Sequence, residues 1–463
     1  MKLKLQFTAM KLAIAWMFAL VTINFNRVAI LDVGIPALLV ATMIGLYPLF
    51  GPFQPFFGRV TNRFPIWGYR RSPYLILGML AGSMVFPFLP SVMLGIASTD
   101  VTALTLGFLL FFVFGTAIAL MANTFLDLIA DCTTEETRSG VFSMAWTGQT
   151  LIIVVWAMVF RALMPEFSIE SMQTLYNLTP FVVMTLATLS VLGLEKRRSA
   201  SELALLQKKE HEQATPQRNP LKESVEALKQ NRAAQQFFLF VMLCFLGIFL
   251  QDLLQELLGG EVFGMSVGET TVFQQIFNGT VTLGMALTAM FGARAMGRPD
   301  VQTPALPMSA KKQIASLGGF AATATFVLIA IAAVTQNLTM LFTVFALNGF
   351  FVGVFTFASV TMMSDMTVEG ETGKYLGIWS MAQALGLGLS FIASGALYEM
   401  LVQRKIFVSS AVGYGAIFLC EAAFMFWCVW SLRPANVESL RQEALLNQAV
   451  SGESRAEKKQ ALV

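Results

Sequence analysis

The stretch ETRSGVFSMA, residues 136–145, recurs with two inserted residues as ETGKYLGIWSMA at 371–382. Four further pairs share one spacing of 234 residues: Gly34 and Gly268, Gly58 and Gly292, Gly115 and Gly349, and Asp131 and Asp365. One glycine pair means little in a glycine-rich chain, but a single offset kept across four segments is not expected by chance. The sequence therefore predicts two related halves.

The composition indicates a membrane protein. Of the 463 residues, 56% are hydrophobic and only 13% are charged, whereas soluble domains carry about 25% charged residues. A membrane helix needs about 20 apolar residues. We place twelve such segments, at 7–31, 34–57, 73–97, 102–131, 139–163, 174–194, 235–258, 268–293, 313–335, 338–364, 374–400 and 406–432.

A polar segment divides these spans six and six. We therefore predict an N-terminal six-helix bundle at 1–194, a cytoplasmic linker at 195–234, a C-terminal bundle at 235–432 and a charged cytoplasmic tail at 433–463. Basic residues collect on the side of the linker and tail, so the positive-inside rule places both termini in the cytoplasm. The net charge of +3 reflects this topology and predicts no nucleic-acid binding. The first span lacks a small-residue cleavage site, so we predict an uncleaved span and not a signal peptide. The four cysteines are scattered and have no CxxC spacing, which suggests that they are packing residues.

Two parallel six-helix repeats resemble the plan of the major facilitator superfamily, in which a central site lies between the halves. The loop GRVTNRFPIWGYRR is similar to the cytoplasmic signature of that superfamily, with Asn62 in place of the usual Asp. The positions concerned are Gly58, Asn62, Arg63, Gly68, Arg70 and Arg71. A basic cluster also needs no special function on a cytoplasmic face, and the missing acid casts doubt on the usual charge-relay gate.

Acidic residues within the fourth span lie on one helix face. Asn123, Asp127 and Asp131 follow each other at intervals of four, and they point toward Arg63, Arg70 and Arg71. A structural ion network and a functional gate are both compatible with this spacing. The fragment GETGKY lacks the glycine and the Ser/Thr of a phosphate loop, so no ATP site is predicted. The DxxxD pair also resembles prenyltransferases that bind a magnesium diphosphate, but those enzymes need a second acid-rich motif. Because none accompanies the Asp pair here, enzyme chemistry is not expected.

A second polar group lies at the outer end of the seventh span. Ionisable residues within spans are costly and are therefore functional candidates. Asp252 and Glu256 share one helix face, and Gln251 and Gln255 lie beside them. The first span contributes Asn26, Arg27 and Asp32 at the same depth. We hypothesise that Arg27 pairs with Asp252 or Glu256 as a gate or head-group clamp; the alternative is a polar helix end that reaches interfacial water.

The stretch QDLLQELLGGEVFGMSVG, residues 251–268, resembles the pattern of the PucC family, also called bacteriochlorophyll delivery proteins, a branch of the same superfamily. Further matches are Asn26-Arg27-Val28, the loop from Gly68 to Tyr74, and Glu135-Glu136-Thr137-Arg138, which adds Glu136 and Arg138 to the cytoplasmic motif. The chain departs from the pattern at Leu257-Leu258, where a Pro and an aromatic are usual, so no kink is expected there. Gln255 replaces an apolar residue.

The resemblance implies assembly of light-harvesting or photosystem complexes in a photosynthetic membrane, with chlorophyll or bacteriochlorophyll as cargo. It implies light-harvesting or photosystem subunits, pigment-synthesis enzymes and membrane lipid as partners. Because the one histidine, His211, lies in the linker, a pigment would take Gln, Asn, a carboxylate, a carbonyl or water as its ligand. The abundant Phe residues could contact a flat macrocycle or only lipid. A proton-coupled solute transporter and a pigment-free scaffold for antenna subunits are the alternatives.

Overall fold

The computed structural model describes residues 2–199, 201–203, 205, 228–229, 232–294, 308–365 and 372–432. Most of the predicted linker and all of the predicted tail lie outside these residues. The described α-helices are α1 (Lys2–Ala19), α2 (Ala37–Leu49), α3 (Gln54–Arg63), α4 (Ser72–Ser83), α5 (Leu89–Ala97), α6 (Val101–Cys132), α7 (Glu135–Leu163), α8 (Ile169–Val191), α9 (Arg232–Phe249), α10 (Gln255–Phe263), α11 (Val267–Arg294), α12 (Met308–Val334), α13 (Leu338–Asp365), α14 (Thr372–Tyr398) and α15 (Ser410–Ser431).

The protein is an all-helical membrane protein. In the part of the chain that the structure describes, nine helices are long and apolar enough to span a membrane. A tenth candidate is the bent pair Ala37–Phe53 and Phe56–Arg63, whose axes differ by 59°. Pro48, Pro52 and Pro55 lie at this bend, and each removes a backbone donor from the helix. Helices α7 and α11 occupy the other two predicted spans without meeting the same apolar criterion, so the count of twelve stays a prediction.

One glycine pair of the repeat, Gly115 and Gly349, makes equivalent helix contacts. A side chain at Gly115 on α6 would collide with the backbone of Tyr47, in the last turn of α2, and with Phe50, which follows that helix. A side chain at Gly349 on α13 would collide with Thr280 and with the backbone of Phe277 on α11. Both glycines therefore permit close helix packing of the kind that small residues give in membranes.

The two halves pack directly against each other along α2 and α14. A Cβ atom at Gly45 would lie 2.8 Å from Ile392 Cγ1, and one at Gly395 would lie 2.8 Å from Ala37 O. A second contact joins the halves where the Gly268 N–H donates to Pro165 O at 3.0 Å. The buried apolar side chains of both halves accordingly form one continuous core.

The first and seventh spans are irregular near the junction. After α1 the chain continues as two π-helical turns, Leu20–Phe25 and Val28–Asp32. Helices α9 and α10 are separated by a 3-10 turn, Leu250–Leu253. Helix α10 is capped at its C-terminal end by Gly264, whose φ of +66° suits glycine. The helix is regular across Leu257-Leu258, as expected, and the interruption lies before them. Irregular backbone within a membrane protein is tolerated where neighbouring helices bury it.

Candidate functional site

The predicted polar residues of the first and seventh spans meet at the junction between the halves. The π-helical stretch of the first span carries Asn26 and Arg27, the 3-10 turn carries Gln251 and Asp252, and α10 carries Gln255 and Glu256. All six are buried, with Asp252 only 6% exposed and Glu256 fully covered. The surrounding helices therefore enclose these six side chains and shield them from solvent.

Arg27 does not form the predicted ion pair with Asp252 or Glu256. Its Nη1 instead lies 2.5 Å from Asp32 Oδ2, and its Nη2 donates to Met265 O at 3.0 Å. The reason is the π-helical turn between Arg27 and Asp32, since a π-helix brings residues five apart onto one face. Arg27 thus joins the halves through a backbone carbonyl, and its charge is matched on its own span.

A glycine makes room for this arginine. A Cβ atom at Gly260 on α10 would lie 3.2 Å from Arg27 Nη2 and 2.5 Å from Leu31 Cδ1. The π-helical stretch of the first span can therefore approach α10 closely. Gly260 belongs to the stretch that resembles the PucC pattern, so the close approach gives that position a physical reason.

Asn26 forms the second direct link between the halves. Its Nδ2 donates to Leu253 O at 2.8 Å within the buried junction. The 3-10 turn leaves this carbonyl available, because the regular helical hydrogen bonding is interrupted there. The Oδ1 atom of Asn26 is buried and has no hydrogen-bond partner among the described residues.

Glu421 on α15 belongs to the same site, and sequence reasoning missed it. It is fully buried, and its Oε1 accepts a hydrogen bond from the Gln251 N–H at 3.0 Å. The Gln251 side chain reaches Asn348 Oδ1 at 3.4 Å, and Asn348 in turn donates to Thr325 Oγ1 at 3.0 Å. A signal was present in the sequence, because Glu421 is the one charged residue in the apolar run from Ser410 to Ser431.

Three carboxyl groups therefore share one buried environment. Asp252 is close enough to interact electrostatically with both Glu256 and Glu421. Arg27 acts on Glu256, but that arginine is already paired with Asp32. Three neighbouring carboxylates in a region of low dielectric would repel each other and lose hydration. Asp252, Glu256 and Glu421 therefore form one electrostatically coupled group.

Several polar atoms of the site have no hydrogen-bond partner among the described residues. Both side-chain polar atoms of Gln255 and both carboxyl oxygens of Glu256 are buried without a hydrogen bond to any described residue, as is Gln251 Oε1. The Thr270 hydroxyl lies near Glu256 but donates to Val267 O at 3.0 Å. Buried polar groups without a partner are rare in proteins, so these atoms are candidates for binding water or a ligand.

Glu261, next to the site, is fully satisfied. Its two carboxyl oxygens accept hydrogen bonds from Tyr398 Oη at 2.7 Å, Ser410 Oγ at 2.7 Å and Tyr414 Oη at 3.2 Å. Because these donors lie on α14 and α15, the carboxylate fixes α10 against both helices. This residue was matched to the family pattern without a predicted role, and its contacts indicate a structural one.

An aromatic contact crosses the junction beside the carboxyl groups. The rings of Tyr47 on α2 and Phe391 on α14 lie 6.2 Å apart, and Tyr47 also packs edge-to-face on Phe114. Tyr47 is buried and close enough to Asp252 for an electrostatic interaction. Aromatic rings therefore border the site, and the Tyr47 hydroxyl lies near Asp252.

The predicted cytoplasmic network forms around Arg71. Its Nη1 lies 2.9 Å from Asp127 Oδ2 and 2.5 Å from Thr61 Oγ1, and its Nε lies 3.4 Å from Asp131 Oδ2. Asn123 Nδ2 donates to Asp127 at 2.9 Å. The acidic face of α6 is thus tied to the end of α3 and the start of α4. A side chain at Gly58 would collide with Asn123.

Arg70 contacts the residue that replaces the usual acid. Its Nη2 donates to Asn62 Oδ1 at 2.8 Å. The backbone N–H groups of Arg70, Arg71 and Ser72 donate to Glu195, which therefore caps the start of α4. Arg63 lies over the Phe64 ring at 5.6 Å.

The side chains of Glu136 and Arg138 lie outside the part of the chain whose side chains are described. No group of ligands for a metal ion occurs among the described residues.

Known proteins with similar sequences match nearly the whole chain. A protein of Rhodobacter capsulatus called "Bacteriochlorophyll synthase 44.5 kDa chain" is 25% identical and covers 96% of this chain and 97% of its own length. The "Protein PucC" of Cereibacter sphaeroides is 24% identical, covering 91% of this chain and 89% of its own length.

Solved structures show the same fold at lower identity. The nucleoside transporter NupG superposes with a TM-score of 0.64 at 14% identity and covers 93% of this chain and 98% of its own. A D-xylose-proton symporter superposes with a TM-score of 0.64 at 13% identity and covers 92% and 97%. The chain therefore shares the fold of these two transporters. The sequence model of the family described as PUCC protein matches residues 24–439, so the chain belongs to that family.

Proposed function

We propose that this protein is a membrane assembly factor for photosynthetic light-harvesting or photosystem complexes. In this role it delivers chlorophyll or bacteriochlorophyll to nascent pigment-binding polypeptides, or shields those polypeptides until pigment arrives. The observation that carries the proposal is the family match over residues 24–439. Relatives named for PucC and for bacteriochlorophyll synthase support it. We infer no enzymatic step, because the family and the transporter-like fold favour a role without one.

The topology that goes with this proposal has twelve spans in two six-helix repeats, with both termini in the cytoplasm of a photosynthetic cell. Equivalent contacts of Gly115 and Gly349 support the repeat. The partners are light-harvesting or photosystem subunits and pigment-synthesis enzymes, within the membrane lipid.

The geometry favours cargo on the outer helix surfaces. The halves are in contact along α2 and α14, and the junction side chains are buried, so a macrocycle has no open path to them in this conformation. An aromatic patch on α15 comprises Phe426, Trp427 and Trp430, each about half exposed. The rings of Phe426 and Trp430 stack at 5.9 Å. A flat pigment or an antenna helix fits such a surface, since aromatic faces stack on one another.

The test is gentle purification followed by an absorption spectrum and identification of co-purifying proteins. We expect bound chlorophyll or bacteriochlorophyll together with antenna or photosystem subunits, and we expect loss of both in Trp427→Ala/Trp430→Ala. The matched control is Phe181→Ala, an exposed aromatic on α8 in the other half. Protein partners without pigment would instead identify a pigment-free scaffold, and delivery would then be wrong.

The buried carboxyl groups favour one second candidate, a proton-coupled secondary transporter of a small solute. Asp252, Glu256 and Glu421 form an enclosed acidic group within a fold shared with solute transporters. Proteoliposomes with an imposed pH gradient test this candidate. Solute uptake that depends on the gradient and is lost in Glu256→Gln would support it. The candidate fails if the gradient moves no solute across a panel of sugars, nucleosides and peptides.

A further inference from the structure

A pocket at the end of the protein that carries the Arg71 network is not part of either predicted site. It has a volume of about 520 Å³ and lies between the α3–α4 loop and the segment after α8. The residues that line it are Trp67, Gly68, Arg197, Arg198, Ser199 and Leu203. Two segments that are 130 residues apart in sequence thus form one concave, basic surface.

The pocket is built on a tight turn with an unusual backbone. Ile66 and Tyr69 exchange both backbone hydrogen bonds at 2.9 Å, and the two residues between them, Trp67 and Gly68, have φ values of +54° and +85°. Positive φ at both central positions defines a type I′ turn. A tryptophan is rarely found in this conformation, which costs backbone strain. The turn holds the indole away from the protein, with 80% of Trp67 exposed.

The second segment is fastened to this turn by its arginines. The Arg198 N–H donates to Gly68 O at 3.0 Å, and Arg197 Nε donates to Trp67 O at 3.1 Å. A Cβ atom at Gly68 would lie 2.8 Å from Arg198 O, so only glycine fits. The terminal Nη groups of Arg197 make no hydrogen bond with a described residue. They remain available as donors at the pocket that Arg197 lines.

The acidic residues nearby are already engaged. Glu195 accepts hydrogen bonds from the start of α4. Glu202 accepts from the N–H and hydroxyl of Ser199, and these hydrogen bonds lower the pKa of its carboxyl. Since Lys196, Arg197 and Arg198 outnumber these two acids, the pocket carries a net positive charge.

We propose that this pocket binds the phosphate head group of an anionic phospholipid. Arginine guanidinium groups donate paired hydrogen bonds to phosphate oxygens. Tryptophan and exposed Phe64 at the same loop are side chains that favour the membrane interface. Basic pockets on the cytoplasmic side of membrane proteins meet anionic lipid of that leaflet. An outward-facing indole beside fixed arginines fits a lipid head group better than a free anion. The indole is stabilised by contact with the lipid surface, whereas a free anion offers it no such contact.

Native mass spectrometry of the purified full-length protein in detergent tests the proposal. The probes are phosphatidylglycerol and phosphatidylcholine, added separately at matched concentrations. We expect preferential binding of phosphatidylglycerol, and we expect Arg197→Gln/Arg198→Gln to weaken that binding by about tenfold or more. The control is Lys405→Gln, which removes an exposed positive charge from the opposite end of the helices. It should leave binding of phosphatidylglycerol unchanged.

Three outcomes would overturn the proposal. The first is equal binding of the two lipids, and the second is an equal loss in the double variant and the Lys405 control. The third is displacement of phosphatidylglycerol by inorganic phosphate at similar concentrations, which would show a free anion site. Trp67→Ala provides a second variant that keeps both arginines. It should weaken lipid binding while leaving any binding of inorganic phosphate unaffected.

Discussion

Arg27 pairs with Asp32 on its own membrane span, five residues further along the chain, with 2.5 Å between Nη1 and Oδ2. The pair lies within a π-helical turn, and both side chains are largely covered. Among the described residues, the hydrogen bond from the Arg27 side chain to the other half goes to Met265 O. The positive charge of Arg27 is therefore compensated mainly by Asp32 on its own span. Asp252, Glu256 and Glu421 receive little compensation from it.

A double-mutant cycle tests this pairing. Arg27→Gln leaves Asp32 without its partner and should lower the free energy of unfolding by about 1–3 kcal/mol, because a partly buried charge loses its compensation. Asp32→Asn on the same background should recover part of the loss. Thermal unfolding in detergent measures both. A larger coupling of Arg27 to Glu256 than to Asp32 would contradict the observed arrangement.

Glu421 gives the second prediction. Glu421→Gln keeps an oxygen that can accept from the Gln251 N–H, and it removes a group that is costly to ionise in the core. We expect its thermal stability to equal or exceed that of the unchanged protein. Glu421→Leu leaves that N–H unsatisfied and should cost about 1–3 kcal/mol. If the Gln variant were as unstable as the Leu variant, the negative charge itself would be required.

The sequence predicted much of the helix pattern and of the cytoplasmic network, for a physical reason. Long apolar runs and i, i+4 spacing depend on the regular geometry of helices, so Asp127 and Asp131 could be placed on one face toward Arg71. The Arg27 partner could not be predicted, because its position depends on a π-helical turn that has no clear signal in the residues. The burial of Asp252 and Glu256 was also missed, since it depends on how the two halves close.

Glu421 shows the opposite case. It is the single acid of an apolar helix, but it lies outside the motifs that the two halves share. Intramembrane acids are informative whether or not they belong to a motif. The two helix breaks also differ in how visible they are in the sequence. Prolines mark the bend of the α2–α3 pair, whereas no residue type marks the interruption at Leu250–Leu253.

The packing of the two halves gives the third prediction. Gly395→Val would place side-chain atoms against the backbone of Ala37 on α2, and overpacking of this kind costs about 1–3 kcal/mol. The matched control is Gly279→Ala on α11, where no atom lies within 4 Å of the added Cβ. That variant should be neutral or more stable, because alanine favours helix more than glycine. Equal effects in the two variants would show that close contact at Gly395 does not matter.

The last prediction concerns the missing acid of the cytoplasmic motif. Asn62 accepts a hydrogen bond from Arg70 Nη2 at 2.8 Å. Asn62→Asp would place a carboxylate on this guanidinium, and a charge-assisted hydrogen bond is stronger than a neutral one. We expect the free energy of unfolding to rise by about 0.5–1 kcal/mol at low ionic strength and to gain less at high ionic strength. Asn62→Leu, of similar size, should instead lower it. Thermal unfolding of the three proteins at two salt concentrations measures the difference, and a gain that ignores salt would show that the stabilisation is not electrostatic.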